Sequence, residues 1–127
     1  MRWREWGAWA LVLVAIAGMC VVLWHAPAWP AERCRASWYG RESGSRTATG
    51  ERFDPDGLSI ALPFRPRNER YRVCYRGRCI IVRHNDLGPA RWTHRCADLS
   101  RGAARVLGFD RAGTAIVEIE RARPWDR

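Results

Sequence analysis

The octapeptide Val82-Arg83-His84-Asn85-Asp86-Leu87-Gly88-Pro89 holds the residues best suited to chemistry. A strand-like run, Cys79-Ile80-Ile81-Val82-Arg83, delivers one carboxylate to a sharp Gly-Pro turn. An acid at a strand end is held firmly while its tip reaches a groove. Asp86 is therefore the candidate for a lone acid/base. An acid that donates near neutral pH needs burial or a like charge beside it, and a cation aimed at it works the other way. Arg83 and His84 are the neighbours to watch. By strand alternation His84 shares the face of Asp86, which makes it a second candidate for the proton chemistry. In the competing reading Asn85 and Asp86 only shape the turn, since both side chains bond backbone groups two residues on, and His84 fills a half-buried slot.

The elements that must hold this turn read mostly as strands. Residues 35–40 form a short strand stopping at Gly40, and residues 41–57, rich in Gly, Ser, Thr and Asp, read as a long ordered loop. Residues 58–62 are a short apolar run. Residues 71–75 and 78–84 flank Arg76-Gly77 as a hairpin. Ser100 can cap a helix running through Leu107, with Gly108 as its stop. Residues 115–120 alternate and close the chain as a strand, followed by a polar tail at residues 122–127. Five or six short strands with a helix suggest a small closed barrel, since closure removes exposed edges.

The ends and the cysteines indicate where it works. A basic head precedes an uncharged apolar run at residues 6–24, close to the roughly 20 residues that span a bilayer. Residues 1–30 are thus a signal peptide or a membrane anchor, with Trp3, Trp6, Trp9, Trp24 and Trp29 suited to the two interfaces. Residues 31–121 then form one domain on the oxidising side, where disulfides persist. Cys74 and Cys79 bracket a four-residue turn at a hairpin neck, where opposed Cβ atoms lie close enough to bridge with slight adjustment. Cys34–Cys96 follows by elimination among three pairings. The spacing of Cys74, Cys79, His84, His94 and Cys96 does not follow a paired zinc-ligand pattern, so no metal and no cofactor is expected.

All 22 basic residues are Arg. From residue 31 onward there are 20 Arg against 12 acids, a net charge of +8, which favours polyanionic partners. The arginines are scattered and carry no nucleic-acid motif, so wall peptides, wall polymers or anionic lipid fit better than nucleic acid.

Four motifs occur in order: Ala36-Ser37-Trp38-Tyr39-Gly40; Arg46-Thr47-Ala48-Thr49-Gly50-Glu51-Arg52-Phe53-Asp54; Val82 to Pro89; and Asp98-Leu99-Ser100 with Ala103-Ala104 and Leu107-Gly108. Together, over roughly residues 34 to 121, they resemble the rare lipoprotein A family. The resemblance implies a mainly β fold, a small six-stranded double-psi β-barrel with one or two short helices, here preceded by an N-terminal hydrophobic helix. It also implies an envelope location, periplasmic or secreted and possibly anchored to the inner membrane. The implied activity is lytic transglycosylase cleavage of peptidoglycan glycan strands by a monomer.

The resemblance carries Asp86 over as the catalytic acid. It also marks Asn85 as orienting the turn, and Arg95 and Asp98 as bracing it. Trp38 and Tyr39 are candidates for stacking on a sugar ring. Thr47, Thr49, Glu51 and Asp54 either line the groove or order the loop, and Glu51 is the other acid able to replace Asp86 as donor. One departure stands out. The family's usual His, in an Ala-Ala-His stretch, falls on Leu62 when Pro66 and residues 70–73 anchor the comparison. His84 is the substitute to test. Two other functions stay open: a non-catalytic, expansin-like glycan-binding or wall-loosening barrel, and a disulfide-stapled module acting on a protein partner.

Overall fold

The computed structural model describes residues 31–127. The expected hydrophobic helix, with its signal or anchor role, lies outside the described residues. Six strands, β1 (Glu32–Tyr39), β2 (Ser59–Leu62), β3 (Arg70–Tyr75), β4 (Arg78–Leu87), β5 (Ala97–Ser100) and β6 (Thr114–Arg121), close in the order β1-β5-β2-β4-β3-β6. Antiparallel β6–β1 pairing completes the ring, and β1–β5 and β2–β4 are parallel. One α-helix, α1 (Arg101–Leu107), is present among the described residues.

Alternation decides which residues fill the barrel. Ala36, Ile60, Val73, Val82, Leu99 and Val117 point inward, joined by Phe109 beyond α1. Fully burying a Val, Ile, Leu or Phe side chain contributes roughly 1.5–3 kcal/mol. As expected, Ser100 caps α1, its hydroxyl accepting from Ala103 N at 3.3 Å, and Gly108 ends it at φ 93°. Gly102 is required for a different reason. Its N donates to Pro55 O at 2.8 Å, and a Cβ there would collide with the Asp56 carbonyl, so only glycine lets the 41–57 loop lie against the helix start.

Both expected disulfides are present. Cys74–Cys79 joins directly paired residues of β3 and β4, and Cys34–Cys96 ties β1 to the segment before β5. β5 is a strand that the sequence does not mark. Ala97-Asp98-Leu99-Ser100 is too short to show a period, and its parallel partner lies about 60 residues earlier.

The expectation that His84 and Asp86 share a face fails. Ile60 pairs with His84 but the next residue, Ala61, pairs with Asp86, so β4 holds one extra residue at Asn85. Such a bulge exchanges the faces of the residues on either side of it. His84 goes into the core with Ile60, and Asp86 goes to the opposite face with the buried Ala61, where it stays half-buried.

Candidate active site

A row of register partners crosses four strands on the barrel's outer wall: Ser37 on β1, Asp98 on β5, Ala61 on β2 and Asp86 on β4. The small residues Ser37, Ser59 and Ala61 keep the wall low. The loop at residues 41–57 folds over one side of it, anchored by Phe53, whose ring stacks on Tyr39 with centroids 4.7 Å apart.

The Asp86 carboxyl is half-buried and its two oxygens differ. Oδ1 accepts from the main-chain N of Leu87 at 2.9 Å and of Ala48 at 3.0 Å. Oδ2 meets only the Tyr39 hydroxyl, at 3.2 Å. Burial first, and then the Asp86 charge, push the Tyr39 phenol well above its ordinary value, so it keeps its proton and donates. Oδ1 is thus fixed by the backbone, while Oδ2 keeps a lone pair for proton exchange. The turn that follows needs Gly88 at φ 137°, and its N donates to Leu62 O at 3.1 Å.

Neither Arg83 nor His84 is spent on this carboxyl. Arg83 turns to Glu51 with a two-pronged contact, Nη1 to Oε1 at 2.6 Å and Nη2 to Oε2 at 3.0 Å, and its Nη1 also reaches Asn68. Asn85 Nδ2 donates to the same Glu51 oxygen at 2.8 Å. The bond from Arg83 holds the Glu51 carboxyl below the usual range, so Glu51 is an ionised brace and is poorly suited to donate a proton. That brace binds the loop to β4 beside Asp86. Any turnover that depends on Asp86 is expected to fall about tenfold or more in Glu51→Gln, the scale of a lost charge-assisted hydrogen bond, with a much smaller change in melting temperature. Initial rates and thermal melts on one preparation check this; equal loss of both would make the brace merely structural.

His84 is fully buried, edge-on to Phe64 and Tyr71. Its Nε2 lies 3.0 Å from the Asp86 carbonyl oxygen, which can only accept, so Nε2 carries the hydrogen. Nδ1 has no partner. Charging the ring would bury an N–H without an acceptor, and desolvation accordingly lowers its pKa despite the nearby Glu69 and Asp86. The unfolded chain, near the ordinary 6.5, takes up this proton first. Stability from His84 is therefore complete above about pH 6.5 and is lost as pH falls towards the lower folded value. His84→Val should flatten that acid-side fall in melting temperature; parallel profiles for the two proteins between pH 8 and 5 would refute it.

The structure gathers some of the candidate residues and separates others. Tyr39, Asn85 and Glu51 sit with Asp86. Arg95 and Asp98 form a second cluster on the same row: Arg95 Nη1 donates to Ser37 Oγ at 2.7 Å, and the Ser37 hydroxyl donates to Asp98. Thr47 is buried inside the loop, its hydroxyl 2.9 Å from that of Thr49. Trp38 faces the other way, packs on the core and donates from Nε1 to Asp110 O at 2.9 Å, which takes its ring off this wall. Leu62 is in the core. Two contributors escaped the sequence reading. The Ala48 amide has no side-chain signature, whereas Ser37 was legible as the residue two before Tyr39 on one strand.

The closed six-strand order, with an acid on the outer wall at the end of β4, defines a double-psi β-barrel with a candidate acid/base site. The chain belongs to the lytic transglycolase family, whose model matches residues 31–119. Relatives include the probable endolytic peptidoglycan transglycosylase RlpA of Nostoc, 48% identical over 67% of this chain and 24% of that protein. The endolytic peptidoglycan transglycosylase RlpA of Neisseria meningitidis serogroup A is 43% identical, over 70% of this chain and 38% of that protein. The chain thus spans about a quarter to two fifths of the length of these curated relatives. In fold it is similar to Streptomyces papain inhibitor, with TM-score 0.64, 22% identity and coverage of 76% of this chain and 98% of that one. It is also similar to Clavibacter michiganensis expansin, with TM-score 0.60, 17% identity and coverage of 75% and 52%.

Proposed function

We propose that this domain is a peptidoglycan lytic transglycosylase of the bacterial envelope in which Asp86 is the acid/base. The observation that carries the reading is the state of that carboxyl: on the outer wall, pinned through Oδ1 and open at Oδ2, with Arg83 withdrawn to Glu51. The names of the relatives supply the substrate class, a glycan strand of the wall. The two disulfides suit the oxidising side of the membrane, and residues 6–24 would deliver or anchor the domain there.

The reaction needs one proton carrier. Asp86, protonated on Oδ2, donates to the glycosidic oxygen as the C1–O bond of the muramic sugar breaks. The C6 hydroxyl oxygen of the same sugar closes on C1, and its proton returns to Oδ2. An anhydro end forms, no water is consumed, and the carboxyl is restored to its starting state. Hydrolases of such links commonly use two carboxyls at a set separation. Intramolecular closure does not need the second.

Leu62, at the family's His position, favours one other reading, an expansin-like barrel that binds glycan without cutting it. Digesting purified sacculi with the full chain separates the two. Anhydromuramyl fragments establish the enzyme, whereas pelleting with sacculi without product establishes the binder.

A further inference from the structure

The strand directions make β1, β3 and β5 begin, and β2, β4 and β6 end, at one end of the barrel. Two loops close that end, residues 63–69 between β2 and β3 and residues 88–96 between β4 and β5. The tail after β6 leaves there too, held by Ala122 N to Arg70 O at 2.9 Å. Of the large apolar side chains exposed among the described residues, the most exposed all belong to this end: Phe64, Leu87, Trp92 at 81% and Trp125 at 71%. Residues 63–68 and 88–96 contain no acid. Their Arg65, Arg67 and Arg91 are exposed and, among the described residues, make no salt bridge. Within residues 63–69, 88–96 and 122–127 the acids are Glu69, which pairs with Arg121, and Asp126, which accepts from Arg123 N at 2.7 Å. The 88–96 loop is ordered by the Thr93 hydroxyl, which donates to Ala90 O at 2.7 Å, and by the Cys34–Cys96 bridge.

We infer that this end of the barrel seats on a membrane surface of anionic lipid, with its apolar side chains at the interface and Arg65, Arg67 and Arg91 on the headgroup phosphates. Exposed apolar side chains rimmed by polar ones mark interaction surfaces. Charge selects an anionic partner, because a free guanidinium takes phosphate in fork geometry and each basic residue near an anionic bilayer adds to the hold. The aromatic residues select lipid over a wall polymer. Trp, Phe and Leu gain at the boundary between headgroups and acyl chains, whereas a hydrated polymer offers them no apolar layer. Chain direction agrees. The polypeptide enters the barrel at this end, through Glu32, with seven residues between it and the apolar run at residues 6–24, so a run held in the bilayer tethers the barrel by this end. The inference takes from the proposed function only the delivery of the chain to the membrane, and nothing from catalysis at Asp86.

The test is amide hydrogen exchange of the full chain with vesicles of phosphatidylcholine alone, or of phosphatidylcholine with phosphatidylglycerol. With the anionic vesicles, residues 63–69, 88–96 and 122–127 are expected to exchange about tenfold or more slowly than with the neutral ones, the scale of a few arginines at an anionic surface. The turn at Arg76-Gly77 and residues 108–113, at the other end of the barrel, should exchange alike with both. Replacing Arg65, Arg67 and Arg91 together by Gln should remove the protection and leave the melting temperature unchanged, and replacing them by Lys should keep most of it. Trp92→Ser should weaken it with the charges in place. Equal exchange with both vesicles, or protection that the Gln variant keeps, overturns the inference. Protection of these segments by purified sacculi but not by vesicles also overturns it and assigns the surface to a wall polymer. Retention on neutral vesicles reads the anchor separately: if the chain is not retained there but anionic vesicles still protect this end, the anchor reading falls and the lipid surface stands.

Discussion

Asp86→Asn is expected to slow the release of anhydromuramyl fragments from sacculi by roughly 10²–10⁴-fold, the range for a positioned general acid/base. The replacement keeps the shape of the side chain. An amide oxygen can still accept from Leu87 N and Ala48 N, so the turn and the loop above it should stay in place. The other half of the amide then faces the Tyr39 hydroxyl with hydrogens it cannot give up. The variant should therefore melt within a few degrees of wild type, and it should still pellet with sacculi. Tyr39→Phe removes a single hydrogen bond to Oδ2 and should cost about tenfold at most. An Asp86→Asn rate within tenfold of wild type would mean that another group carries the proton.

The second large effect concerns stability. Removing Cys34–Cys96 should cost about 4 kcal/mol by chain entropy, because the bridge closes 62 residues, whereas Cys74–Cys79 closes only 5 and should be worth about 2. In a domain of this size each kcal/mol moves the melting temperature by roughly 4–8 °C. Replacing Cys34 and Cys96 together by Ala should therefore lower it about twice as far as replacing Cys74 and Cys79. The difference has a structural source. Cys34 sits on β1 opposite Val117, and Cys96 precedes β5, so this bridge fastens the parallel β1–β5 pair that no short turn can hold. The β3–β4 pair already has its turn at Arg76-Gly77. Equal losses for the two pairs, read by thermal melts, would count against the chain-entropy explanation.

Much of this architecture is legible in the sequence. The hairpin neck announced Cys74–Cys79, Ser100 and Gly108 announced the helix, and the four ordered motifs announced the barrel. What escaped was non-local. β5 is four residues whose meaning comes from Tyr39 and Ile60 at distant points in the chain. The Asn85 bulge has no marker in His84-Asn85-Asp86 itself; it is set by how β2 runs alongside, and it is the reason strand alternation misplaced His84. Within the site, Asp86 could be singled out by type and position. The Glu51 brace could not, because residues 32 apart meet only once the loop has folded over the wall. Arg83, next to Asp86 in sequence, turns to Glu51, a partner that the local sequence does not reveal.

In the proposed reaction Asp86 moves one proton out and back with no water in between. Digestion of sacculi in heavy-oxygen water, with products resolved by mass spectrometry, reads this directly. The result expected is unlabelled anhydromuramyl ends, one water lighter than hydrolytic products, formed by the wild-type chain and lost with Asp86→Asn. Heavy oxygen at new reducing ends, or unlabelled anhydro ends that persist undiminished in Asp86→Asn, would contradict it.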